Sequence, residues 1–425
     1  MAFDKARLET FFDGVMERFG FGKGGRKIAV AVSGGADSMA LCRLLHRFAR
    51  KNATPLVIFN VDHGLRPESA DESRWVAREA ARLDIPCHIL KRTGEKPSSG
   101  IERTARNDRY GLLFAACRSA GADALFLGHH KRDQAETFLI RKRANSGAFG
   151  LAGMSAVRSF AFGRMYRPLL GISPEDLRAY NKSIGQEWVE DPSNATDEFE
   201  RGRLRRSVSA EVLEDAFRQS LIYGGRRIET ERKRAGFLSS VAEISNAGFA
   251  LFSRKDFVEA DRETALGSLA ELIRAIANKP YFPAADALNR LYGSVSSFGF
   301  SGATLGGCRI SPASKDRVLI WREYSDLPAP SVVEGERLFY WDRFAFELSE
   351  SVPEKLTVAP LEDRLKKLRP YPKRCFFCVP ALFDREGLFL APHLGYKKTM
   401  VSCRADFAPL FPVCLSPEWT LPVVF

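Results

Sequence analysis

The sequence has no apolar run long enough to span a membrane, which excludes a helical membrane protein. It has no Gly-Lys-Ser/Thr ending on any glycine loop, which excludes the common P-loop, and the glycine loop at 33–38 does not fit G-x-G-x-x-G, which excludes the dinucleotide fingerprint there. Internal repeats and low-complexity tracts are absent, so neither a solenoid nor a long polar tail is expected. Acidic charge is in deficit: 52 Asp and Glu stand against 64 Lys and Arg, a net charge of +12. That balance points to an anionic partner, nucleic acid first. The opening twenty residues lack the shape of a signal peptide. Phe11, Phe12, Val15, Met16 and Phe19 recur at helical spacing among Asp4, Glu9, Asp13 and Glu17, which predicts an amphipathic helix and a cytoplasmic protein.

Cysteine is sparse, at eight in 425 residues. Cys42, Cys87 and Cys117 lie inside apolar segments, as reduced buried thiols do. Cys375, Cys378, Cys403 and Cys414 could in principle ligate zinc. Their second pair is irregularly spaced, however, and Phe376-Phe377 reads as core, so buried thiols are expected there too.

What is present is sharpest at Ser33-Gly34-Gly35-Ala36-Asp37-Ser38. An apolar strand pattern, Ile28 to Val32, precedes it, and a helical pattern follows from Met39. In such a strand–loop–helix, backbone N–H groups and the helix dipole can face a phosphate. Asp37 stands where a nucleotide-bound Mg²⁺ would sit. Strand and helix patterns then alternate through residue 130, with strands at 56–62, 86–90 and 124–127. Continuous apolar strands of this kind imply an α/β fold built on a parallel sheet covered on both faces. Ligands bind such sheets beyond the carboxyl ends of the strands. The loop, Asp62-His63 and Gly128-His129-His130 all fall at such ends, and are expected to converge on one crevice.

Several further clusters carry possible chemistry. Asp62 can meet a ribose or the adenine edge. Asp133, Glu136 and Thr137 share a helix face, where a carboxylate can bind metal or orient a nucleophile. Glu102, Arg106, Arg109 and Tyr110 lie on nearby turns of one helix, and Arg106 could hold a phosphate or a flipped base. Glu190-Asp191 forms an acidic turn able to recognise an amine. Arg201, Arg203, Arg205 and Arg206 form a cluster able to hold RNA phosphates. Each cluster taken alone also reads as an ordinary turn, salt-bridged helix or solvated face. Beyond about residue 210 a long charged helical stretch runs to about Ile244, with helical signals to about Tyr292 and a hairpin ending at Val318–Trp321. Three domains are expected: 1–210, a parallel-sheet nucleotide domain; 211–325, mainly helical; and 330–425, small and mixed α+β.

Ser-Gly-Gly-x-Asp-Ser resembles the PP-loop of the N-type ATP pyrophosphatases. That family's loop grips the β- and γ-phosphates while AMP is transferred. The ordered set of 33–38, 61–66, 100–110, 129–137, Ser146-Gly147, 150–154, 167–170 and 190–205 resembles the tRNA(Ile)-lysidine synthetases over roughly the first half of the chain. Two positions depart from that family's pattern. Arg132 stands where the first Asp of His-His-x-Asp-Asp-Gln is usual, and Ala144 replaces a usual Arg. The departures bear on how metal and RNA are held.

The resemblance implies an ATP- and Mg²⁺-dependent ligase. It would adenylate the wobble cytidine of a CAU-anticodon isoleucine tRNA and then join L-lysine to it. Ser33, Gly34, Gly35, Ala36, Asp37, Ser38, Asp62 and His63 would bind ATP, and Asp37 and Asp133 the metal. Arg106 would act on the cytidine, Glu136 or Glu190 on lysine, and the four arginines from Arg201 to Arg206 on tRNA. Competing readings are another tRNA enzyme of this superfamily, such as a cytidine thiolase, and a non-catalytic RNA-binding protein. An amidotransferase ligase is disfavoured because no glutaminase-like segment is present. Oligomeric state is not legible.

Overall fold

The computed structural model describes residues 3–22, 24–62, 64, 69–91, 101–190, 204, 207–351, 355–362, 373–398 and 400–415, apart from the side chains of 101–108, 373, 374 and 376. The chain divides into two compact units with the boundary between Glu229 and Thr230.

The first unit is built on a six-stranded sheet. Its strands are β1 (Ile28–Ala31), β2 (Leu56–Asp62), β3 (Cys87–Lys91), β4 (Ala124–Phe126), β5 (Val157–Phe160) and β6 (Gly163–Tyr166), in the order β3-β2-β1-β4-β6-β5. All neighbouring pairs are parallel except β5 with β6. Ile28 stands beside Leu56 on one side and Ala124 on the other, so β1 is central and its apolar residues bury on both faces. After β1 the chain moves outward to β2 and β3, then crosses back to β4 on the other flank. The strand order therefore reverses between β1 and β4, the switch point where such sheets open a crevice.

Helices α1 (Lys5–Arg18), α2 (Ala36–Asn52), α3 (Ser69–Arg82), α4 (Ile101–Ala120), α5 (Lys131–Arg143), α6 (Ala148–Leu151) and α7 (Pro174–Ser183) belong to this unit. The Asp4 side chain caps α1 by accepting from Arg7 N, and the apolar stripe read from the sequence buries Phe12, Val15 and Met16. Phe126 and Tyr166 stack at 5.1 Å in the core, with Phe21 against both.

The unit boundary falls within α8 (Ala210–Val241). In the second unit, β7 (Ala242–Ser245), β8 (Phe249–Ser253), β9 (Ala303–Leu305), β10 (Cys308–Pro312) and β11 (Arg317–Arg322) form an antiparallel sheet ordered β7-β8-β11-β10-β9. Its core is shared with α9 (Arg254–Glu259), α10 (Arg262–Ile276) and α11 (Ala285–Ser296) through Phe252, Leu269, Ile273, Leu291 and Ile320. The β10–β11 hairpin lies where the sequence places it. The β7–β8 hairpin interrupts a stretch read as helical: strands of four and five residues are too short to show a clear two-residue period.

Past Pro330 the described residues form two antiparallel sheets. One comprises β12 (Ser331–Val333), β15 (Leu356–Pro360), β16 (Pro380–Asp384), β17 (Gly387–Ala391) and β18 (Tyr396–Lys397), and the other β13 (Leu338–Trp341), β14 (Phe344–Leu348) and β19 (Cys403–Phe407). The second of these sheets is tied to the middle sheet by polar contacts. Arg322 and Arg343, both buried, meet the Asp342 carboxylate, and Asn246 donates to Ala405 O at 3.0 Å.

His393, edge-on to Phe344 at 5.3 Å, is half-buried, with its Nε2 out of contact with solvent and without a hydrogen-bond partner. Burial disfavours its charged form; the nearby Asp406 charge opposes this, but the net effect lowers the pKa to about 4. The unfolded chain then binds a proton that the folded chain refuses between about pH 4 and 6.5. Stability of the second unit is expected to be flat in this group above pH 7. It should fall as pH drops through that window, by up to about 3 kcal/mol. Urea unfolding at pH 7.5 and 4.5 checks this, and His393→Phe should flatten the difference.

Candidate active site

The loop between β1 and α2 is defined by where its carbonyls go. Asn60 Nδ2 donates to Val32 O at 2.8 Å, and Val189 N to Gly34 O at 2.9 Å. Ser38 Oγ and Met39 N donate to Gly35 O at 2.9 and 3.0 Å. Asn181 Nδ2 reaches Ala36 O at 2.8 Å. Tying the carbonyls back to the protein turns the amides outward. The N-cap of α2 is Gly35, which has no side chain to satisfy the first-turn N–H groups. Those amides and the dipole of a seventeen-residue helix are thus left for an anion. Ser33 N donates to Ser38 Oγ at 3.2 Å, which closes the loop across its mouth.

Two glycines are required by this geometry. Gly34 sits at φ +96°, and a Cβ there would lie 3.3 Å from Val76 Cγ2. Gly128, just beyond β4, passes so close that a Cβ would come within 3.2 Å of Asp37 O and Ser38 Cα. The residues after β4 are thereby pressed against the first turn of α2.

That close approach delivers His130. Its Nε2 is 3.4 Å from Asp37 Oδ2, and its Nδ1 is 3.4 Å from Asp133 Oδ2. His130 is also the N-cap of α5: Asp133 N donates to Nδ1 at 3.3 Å, and His130 N donates to Asp133 Oδ2 at 3.0 Å. In the neutral ring the proton therefore sits on Nε2, facing Asp37. Burial works against a charged ring here. The Asp37 hydrogen bond and the charges of Asp133, Asp37 and Glu136 outweigh it and raise the His130 pKa above its ordinary value. The imidazole stands between the two carboxylates, so Asp37 and Asp133 face it from opposite nitrogens.

The other predicted residues are distributed as follows. Asp62 Oδ1 accepts from Gly64 N at 3.0 Å and Ser69 Oγ at 2.8 Å, a local turn at the end of β2. Glu136 is fully buried on α5. Glu190 is exposed, and its Oε1 accepts from the Trp188 indole at 2.7 Å, one residue past the strand-like contact with Gly34. Arg106 falls on α4, with its side chain outside the described residues. His63, Arg201, Arg203, Arg205 and Arg206 lie outside them altogether. Arg132 pairs with Glu175 at the start of α7, and Ala144 is the C-cap of α5.

Sequence reasoning missed the residues that hold the site. Asn60 could have been found, as an amide inside an apolar strand. Asn181 and Val189 carry no local signal. Gln134, fully buried, accepts from Met154 N at 2.8 Å and donates to Met154 O at 3.2 Å, which fastens the 150–154 loop to α5. A sulfur-transfer site would need a reactive thiolate. In this unit burial pushes Cys42 and Cys117 up to about 12 and Cys87 up to about 11. In the second unit Cys375 and Cys378 are likewise buried, and Cys378 Sγ donates to Arg322 O. Among the described residues no group of three or more His, Cys, Asp or Glu is placed to hold a metal by itself.

A phosphate loop at the switch point of a parallel sheet, with a carboxylate in it, defines an ATP-handling PP-loop protein. The PP-loop domain family matches residues 5–212. A tRNA(Ile)-lysidine synthase of Hyphomonas neptunium is 36% identical over 311 residues, covering 71% of this chain and 83% of that one. Another, of a Wolbachia from Brugia malayi, is 31% identical over 388 residues and 88% of each chain. Among solved structures, the U34-tRNA thiolase NcsA from Methanococcus maripaludis is similar at a TM-score of 0.39 and 16% identity, covering 50% of this chain and 70% of that one, too slight a likeness to bear on function. The chain belongs to the tRNA(Ile)-lysidine synthase family.

Gly34→Ala would place a Cβ at positive φ and against Val76. It is expected to cost about 1–2 kcal/mol of stability and to weaken ATP binding by about tenfold or more. Urea unfolding and titration calorimetry check the two effects separately.

Proposed function

We propose that the chain is a carbon–nitrogen ligase that joins L-lysine to C2 of the wobble cytidine, position 34, of isoleucine tRNA with a CAU anticodon, changing the codon read from AUG to AUA. ATP is the nucleotide. The observation that carries this reading is the loop at 33–38, whose carbonyls are tied back and whose α2 amides are uncapped, set against Asp37 and His130. It is read together with the family to which the chain belongs. No described helix is long and apolar enough to cross a membrane, and the basic chain would act on tRNA in the cytoplasm.

The reaction runs in two steps. The C2 oxygen of cytidine attacks the α-phosphorus of ATP, and the bond to the bridging oxygen breaks to release pyrophosphate. Lysine's amine then attacks C2; the C2–O bond breaks, AMP leaves with that oxygen, and the nitrogen loses its proton. The amides from Gly34 to Ser38 would hold the β- and γ-phosphates in a geometry already set by the protein, so charge building on the leaving pyrophosphate meets fixed dipoles. His130 holds its Nε2 proton at Asp37 Oδ2, keeping that carboxylate oriented.

The residues fit Mg²⁺. Asp37 Oδ1 is buried without a hydrogen-bond partner, a lone oxygen at the edge of a phosphate site. Mg²⁺ commonly takes one or two carboxylates plus phosphate oxygens. Asp37 would hold it, with Asp133 as the second acid beyond the imidazole. Bound there, it neutralises phosphate charge. Arg106 is assigned to the cytidine. Between the two candidates for lysine's ammonium, Glu190 is exposed and Glu136 fully buried. Arg201, Arg203, Arg205 and Arg206 would contact tRNA phosphates, so binding should weaken steeply with salt. The target base must leave its stack, which a single-stranded anticodon loop permits.

The test is AMP release from ATP, lysine and isoleucine tRNA transcript, with mass spectrometry of the anticodon-loop product. AMP release should need the tRNA, and the product should gain lysine; AMP formed equally without tRNA, or a sulfur mass shift, would overturn the reading. Asp37→Ala should lower adenylation by about a hundredfold or more. Arg132→Ala should stay within about fivefold, because Arg132 is engaged in a partly exposed pair with Glu175.

A further inference from the structure

Arg167 follows β6 directly and is only 4% exposed, an uncommon place for a guanidinium. Its donors are directed at named acceptors. Nη1 donates to Ser155 O at 2.7 Å, Nη2 reaches Met165 Sδ at 3.8 Å, and Nε donates to His129 Nδ1 at 3.3 Å. Its backbone N donates to Ala156 O at 2.8 Å. The strand ends meet here, since Leu127 N donates to Tyr166 O at 3.0 Å. One buried cation thus joins the residues following the 150–154 loop to the first histidine after β4.

An N–H aimed at Nδ1 requires a lone pair on that nitrogen. The neutral His129 ring therefore carries its proton on Nε2, with Nδ1 held by the single Arg167 Nε–H. His129 lies between Gly128, which is pressed against Asp37 and Ser38, and His130, which faces Asp37. A rotation of the His129 backbone would be felt at both.

We propose that Arg167 is a positioning residue for the reaction. By fixing the tautomer and orientation of His129 it holds the turn between β4 and α5, and with it His130, in register with the phosphate loop. The kinetic part of this inference rests on the ligase reading above; the spectroscopic part does not. Arg167 would touch none of the reacting atoms, so its effect should run through His129.

The experiment combines nitrogen-15 NMR of the free enzyme with a double-mutant cycle. The chain has six histidines. The His129 signals are assigned by their loss in His129→Gln. In the wild type, Nδ1 should resonate as an unprotonated acceptor and Nε2 as protonated. In Arg167→Met the two should move toward each other as the tautomers mix. In the AMP-release assay, Arg167→Met should lower kcat by about tenfold or more, and Arg167→Lys should restore part of it. Arg167→Met combined with His129→Gln should match His129→Gln alone within about twofold. Unchanged His129 signals in Arg167→Met would overturn the proposal, and so would kcat losses that multiply in the double variant. Absence of tRNA-dependent AMP release in the wild type would instead remove the ligase reading and leave the NMR result standing.

Discussion

The first unit depends on a constraint at the backbone of one short loop: its carbonyls must be satisfied from behind so that its amides can face a ligand. Val32, Gly34, Gly35 and Ala36 each give their oxygen to a donor from the protein. Two of those donors, Asn60 and Asn181, are buried amides. A buried amide is costly unless bonded, and each of these bonds the loop through Nδ2 although its Oδ1 is buried without a partner. The binding surface is therefore made before any ligand arrives, and its dipoles need little reorganisation when charge develops.

The same constraint organises the electrostatics. Gly128 brings the end of β4 within van der Waals reach of the α2 backbone, and together with the His130–Asp133 capping box this places His130 between Asp37 and Asp133. His130 then has two functions from one ring: Nδ1 caps α5, and Nε2 faces Asp37. If the ring takes a second proton, Nδ1 can no longer accept from the Asp133 amide, and the Asp133 carboxylate at 3.4 Å becomes its natural partner. The cap and the carboxylate arrangement are thus coupled through a single imidazole.

The two departures from the family pattern have different physical settings. Arg132 is placed at a partly exposed face, in an ion pair with Glu175, and not in the line of Asp37, His130 and Asp133. Ala144 ends α5, where Arg141, Lys142 and Arg143 already supply the basic last turn that suits a helix C-terminus. The second unit solves a different problem. It joins its middle sheet to the β13-β14-β19 sheet through buried arginines that share the Asp342 carboxylate, while the two later sheets meet through apolar residues, so its interior is specified by paired charge as well as by apolar contact.

The sequence by itself determined the phosphate loop, the parallel sheet and the family, because these are written in local patterns. A strand–Gly-Gly–helix run, continuous apolar strands and acids at strand ends need no distant partner to be recognised. It also carried the order of the motifs and the amphipathic first helix. Only the tertiary structure decided what holds the loop, because the donors to its carbonyls come from Asn60, Asn181 and Val189, up to 155 residues away in the chain. Tertiary contact likewise decided that Asp62 closes its own turn, that Arg132 meets Glu175, that Arg167 grips His129, and that a hairpin breaks the helical stretch after Val241. Hydrogen-bond partners are chosen by proximity in space, and a linear pattern records the donor without naming the acceptor.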